Sequence, residues 1–170
     1  MKKMSMQHFL NEKASLILSK KTFNELECTP TIELKNWLDS ISIRNGYLLS
    51  SLENQENQIN SAKEYMDSEF AIEIHLNKIH LEDDYELDLE KHKYIGLYFY
   101  ICCYMQQFLI NKNLTEDVIL WYSTDCYNEN EEYPSHTASF ALVRTDKDLY
   151  PLETMNYKDD FHIGTRISLK

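Results

Sequence analysis

The chain reads as a single α+β domain, and three observations predict this. An apolar run covers 94–105, too long for one strand and too short for a membrane helix, which needs about 20 residues. Three segments of period-two apolar patterning follow it, at 118–124, 137–145 and 161–169. Ahead of it, Ser, Thr and Pro stand where helices begin. In a chain of 170 residues these predict N-terminal helices, a β-hairpin, a buried central helix and a C-terminal antiparallel meander, all in one domain.

Ser5 is a candidate cap for a helix to about residue 20, with Phe9, Leu10, Ile17 and Leu18 turned inward. Thr22-Phe23-Asn24-Glu25 fits a capping box, and Thr29-Pro30 suits the start of a further helix. Leu34, Leu38, Ile41, Asn45, Leu48, Leu52, Gln55, Ile59, Ala62 and Met66 then recur at spacings of three and four. That seam favours helices broken at Asn45-Gly46 and packed on the domain's own core. The rival is a hairpin turning on Asn45-Gly46, with Ile41 and Ile43 against Tyr47 and Leu49.

Phe70, Ile72, Ile74 and Leu76 alternate with polar or small residues, a strand pattern. Tyr85, Leu87 and Leu89 alternate with Asp84, Glu86, Asp88 and Glu90, which predicts a second strand across a Glu82-Asp83 turn. Such a hairpin has one apolar and one acidic face. Residues 91–113 read as the central helix, and 125–136 as a polar loop between the first two later strands. Leu87, Ile101, Trp121 and Phe140 are expected in one core. The element order is similar to that of the cone-shaped NTF2-like folds, a likeness of order with no motif behind it.

The net charge of -11 is regional. Residues 64–90 hold ten carboxylates against Lys78 alone, and 113–143 hold six with no lysine or arginine. Such a distribution repels nucleic acid and anionic lipid, and it steers basic partners to part of the surface. Three glycines, at 46, 96 and 164, cannot build a glycine-rich phosphate cradle. Cys28, Cys102, Cys103 and Cys126 include no Cys-x-x-Cys, so reduced thiols in a cytoplasmic protein are expected. The polar N-terminal residues do not read as a secretory signal.

No cofactor or metal site is expected. His75 and His80 have the wrong spacing for zinc, and residues 82–86 lack the glycine and ligand pattern of a calcium loop. Cys126 with His136 is the one arrangement that could suggest a cysteine nucleophile, and a partly buried thiol is the plainer reading. The expected activity is binding: an acidic immunity-type inhibitor that neutralises a basic toxin, such as a nuclease, by occluding its active site. Its candidate contacts are Asp125, Tyr127, Glu129, Glu131, Glu132 and Tyr133 in the loop, with Glu82, Asp84, Glu86 and Asp88 on the hairpin. Tyr127 and Tyr133 are candidate anchors because aromatics in a polar loop gain little from the domain's own core. The alternative is a small-ligand-binding protein or enzyme with a pocket in a curved antiparallel sheet.

Overall fold

A computed structural model describes residues 4–50, 55–84, 90–128, 135–154 and 160–169. The fold is α+β. Strand β1 (Met4–Leu10) leads to helices α1 (Glu12–Leu18), α2 (Phe23–Leu26) and α3 (Ile32–Asp39). A hairpin of β2 (Ser42–Arg44) and β3 (Tyr47–Leu49) precedes α4 (Gln55–Lys63) and α5 (Glu69–Leu76). Short β4 (Ile79–His80) and α6 (Leu81–Asp84) precede the long α7 (Lys93–Lys112). Then come β5 (Asp117–Thr124), β6 (His136–Val143), a helical turn at Asp146–Leu149, α8 (Tyr150–Glu153) and β7 (Phe161–Leu169).

Strand parity and α7 organise the core. Val118, Leu120 and Tyr122 of β5, Phe140 of β6 and Ile163 of β7 turn to one face of the sheet. There they meet Leu97, Tyr98, Ile101, Cys102 and Met105 of α7. The Tyr98 hydroxyl is fully buried and lies 2.7 Å from the Thr165 hydroxyl and 3.3 Å from the Leu120 carbonyl, which accepts. Asn113, in the left-handed conformation at φ 50°, ends the helix. Among the described residues no helix is long and apolar enough to cross a membrane.

The later strands form one antiparallel sheet beside the central helix, but not a meander. Its order is β1-β7-β5-β6-β4, so β7 adds to the far side of β5. The N-terminal segment expected as helix supplies the edge strand β1, paired with β7 from Met4↔Leu169 to Leu10↔Ile163. Helix begins only at Asn11, whose side chain accepts the Ala14 N–H at 2.9 Å. Thr22 and Glu25 do open a one-turn helix, the Glu25 carboxylate accepting the Thr22 N–H at 2.8 Å. The next helix is capped by Thr31, two residues past the expected start.

Two period assignments are corrected. At Asn45-Gly46 the rival turn holds but not its pairing: φ values of 52° and 84° make the turn of a β2–β3 hairpin in which Ile43 faces Leu48, Ser42 faces Leu49, Arg44 faces Tyr47, and Ile41 lies before the strand. The expected strand over Phe70–Leu76 is helix α5, capped by Ser68, whose hydroxyl accepts the Ala71 N–H. Alternation misled because one side of α5 buries Glu73 and Asn77, which are polar. The expected Glu82-Asp83 turn is helical instead, within α6 with Asp84, and residues 85–89 of the expected partner strand over 84–90, Leu87 among them, lie outside the described residues. Trp121 is also corrected: an odd residue of β5, it packs with Ile119 on the sheet's other face, apart from Ile101 and Phe140.

Glu73 and Asn77 stand in for strand pairing. β4 covers β6 over only two residues, Ala138 and Thr137. Farther along, the Asn77 amide donates to the carbonyls of Leu48 on β3 and Phe140 on β6, at 2.8 and 2.9 Å. The Glu73 carboxylate accepts the Leu48 and Leu142 N–H groups at 2.6 and 2.7 Å. Backbone groups that direct pairing would have satisfied are satisfied by a helix instead.

Candidate functional site

Two features can carry function: the end of the sheet where the acid-rich segments meet, and a groove on the sheet face away from α7.

At the sheet end, the loop leaving β5 is clamped at both ends. Asp125 Oδ1 accepts the Ser135 N–H at 2.7 Å, and Glu82 Oε2 accepts the next one, from His136, at 2.8 Å. Two sequence-predicted residues 43 positions apart thus tie α6 and the 125–136 loop together. Asp84 ends α6. Glu86, Asp88, Glu129, Glu131, Glu132 and Tyr133 lie outside the described residues.

Tyr127 corrects an expectation. Its ring stacks on Phe161 at 5.1 Å between centroids and belongs to the margin of the main core. Lys91 Nζ covers the ring at 4.7 Å, a cation–π contact. Burial pushes the Tyr127 hydroxyl well above its ordinary pKa. The ring therefore holds the loop down and is not free on it.

Sequence reasoning missed the polar residues that brace this end. Asn128 donates to Asp160 Oδ1 at 2.8 Å and accepts the Lys13 ammonium. The Asn11 amide donates to the Asp160 carbonyl at 2.6 Å. These residues meet from three distant segments, and no local spacing signals such contacts.

Cys126 and His136 do not form an activated pair. A cysteine nucleophile needs a lowered thiol pKa and a base free to take its proton. Burial raises the Cys126 thiol instead. Burial likewise lowers the His136 imidazole to about 4, and its Nδ1 lies 2.8 Å from the Tyr122 hydroxyl. The ring is stacked on Tyr94 with centroids 3.9 Å apart. Among the described residues no three His, Cys, Asp or Glu side chains gather to hold a metal.

The groove has a volume of about 450 Å³. Phe70 and Ile74 of α5 form one wall, Ile119 and Trp121 of β5 the floor. The two basic residues lining it, His75 and Lys78, come from the C-terminal end of α5 and the residues just after it. The sequence signal for it was present but misassigned, because Phe70 and Ile74 were given to a strand.

Compared with protein-family models, curated proteins and solved structures, the chain matches none of them.

Proposed function

We propose that this chain is an acidic protein-binding inhibitor of immunity type, which neutralises a basic toxin such as a nuclease by covering its active site. The observation that carries the reading is the Glu82–His136 N–H bond, which joins the start of the 82–90 segment to the end of the 125–136 loop. Those segments hold six and four carboxylates. Of the nearby cations, Lys91 is engaged on Tyr127 and Lys13 on Asn128. A nuclease must be positive where it grips phosphates, so a concentrated acidic surface competes for that site and speeds encounter. The impaired Cys126–His136 pair supports binding over cysteine chemistry. Free cysteines at 28, 102, 103 and 126 suit action in the cytoplasm of the cell that makes the protein.

The test offers the immobilised chain a panel of basic toxin domains from its own organism. One should bind, lose its activity at one molar equivalent, and associate more slowly as salt rises. Changing Glu129, Glu131 and Glu132 together to glutamine should slow association at low salt while leaving the fold intact. Binding by no basic domain, or association unchanged in the triple variant, would reject the reading.

A further inference from the structure

We propose that the groove between α5 and the outer face of the sheet binds a small amphipathic anion, a carboxylic acid with an alkyl tail of medium length. The tail would lie on Phe70, Ile74, Ile119 and Trp121, and the carboxylate would meet Lys78 beside His75. This site is independent of the acidic end of the sheet.

Three observations converge on this ligand. The cavity, at about 450 Å³, falls in the range of roughly 300 to 1,000 Å³ typical of small-ligand sites, and its lining is predominantly apolar. Its charged lining is basic, with no carboxylate among the described residues that form it. Lys78 is exposed, and among the described residues no carboxylate pairs with its ammonium, although its own segment is rich in acids. Favourable placement near a helix C-terminus accounts for a cation after α5. It does not account for an apolar cavity beside that cation.

Glu69 and His75, toward the two ends of α5, are both engaged. Glu69, at the start of α5, is paired with Arg144 Nε at 3.0 Å. The His75 ring is held by the edge of Tyr65, with centroids 5.9 Å apart and planes at 89°. The net charge of -11 acts mainly at distance, and charges beyond about 8 Å are screened at physiological salt. A carboxylate seated at the mouth would feel Lys78 first.

The experiment is titration with sodium decanoate, read by calorimetry and by the emission of Trp121 in the groove floor. Saturable binding at one site is expected. Octanoate, two methylenes shorter, should bind roughly tenfold more weakly. Decanol should bind at least about fivefold more weakly than decanoate, having lost the charge. The surface change Lys78→Glu should weaken decanoate by a similar factor and favour decyltrimethylammonium. Ala71→Phe, which fills the groove, should abolish uptake. Absence of saturable decanoate binding would overturn the proposal. So would equal decanoate affinity in the wild type and Lys78→Glu, since the fold does not depend on that exposed side chain.

Discussion

Glu73 and Arg144 meet through both carboxylate oxygens, with Nη2–Oε1 at 2.5 Å and Nη1–Oε2 at 3.2 Å. The Glu73 side chain is fully buried, while Arg144 keeps about a fifth of its side chain exposed. Burial pushes the Glu73 carboxyl above its ordinary pKa, and the guanidinium with the two backbone donors offsets only part of that rise. The pair is thus the charged half of the bridge by which α5 joins β3 to β6.

Removing either partner should be costly for different reasons. Arg144→Ala leaves a buried carboxylate without its counter-charge, a loss of about 3 to 5 kcal/mol. Replacing both residues by leucine removes the charges but strands the N–H groups of Leu48 and Leu142, each costing about 1 to 3 kcal/mol. The double variant should therefore stay well below wild type in urea unfolding. Wild-type stability in that variant would show that the backbone donors do not need Glu73.

What the sequence made legible follows from where each element's partners lie. Helix α7 and strands β5, β6 and β7 bury side chains in simple repeating patterns, and their positions were readable to within a few residues. β1 was not, because its pattern of alternating half-buried and exposed residues is weak and its partner lies some 160 residues away. α5 was misread because Glu73 and Asn77 are buried for the sake of backbone groups on other elements. Of the candidate contacts among the described residues, Glu82 and Asp125 are brought together, by backbone hydrogen bonds that no spacing rule anticipates.

Gly96 gives a test in which the sign of the effect decides. A Cβ placed there would lie 1.7 Å from the carbonyl oxygen of Leu26, so α2 touches α7 through backbone. The Lys93 ammonium holds the same approach, donating to the carbonyls of Asn24 and Glu27 at 3.1 and 2.8 Å. Glycine to alanine in an open helix would stabilise by roughly 1 kcal/mol. Here the clash should reverse that, costing about 1 to 3 kcal/mol. A raised melting temperature for Gly96→Ala would contradict the packing of α2.

His136 makes stability depend on pH. Its folded pKa is lowered by burial from 6.5 to about 4, so the unfolded chain takes up a proton first as pH falls. The contribution is complete above pH 6.5 and is lost progressively down to about 4, below which it no longer changes. Over that window the loss amounts to about 3 kcal/mol, because the side chain is almost fully buried. His136→Gln should remove most of this slope in urea midpoints measured between pH 7 and 4.5. His8, also lowered by burial, should leave a smaller residue of it. An unchanged slope would mean that His136 is not held neutral.

The four thiols should react in an order set by burial. Cys103 faces outward from α7, whereas Cys102, its neighbour, is buried against the sheet with its thiol pushed up to about 12. Burial also raises Cys28 and Cys126, which are only partly covered. Thiol reagents attack the thiolate, so exposure and acidity act in the same direction. At pH 8 the native protein should show one fast equivalent, removed by Cys103→Ser, then two slower ones. Cys102 should react only on unfolding, when the count reaches four without added reductant. A fast phase that survives Cys103→Ser would place Cys126 or Cys28 in the open. Were it Cys126, the clamp that Asp125 and Glu82 place on the loop would not hold in solution.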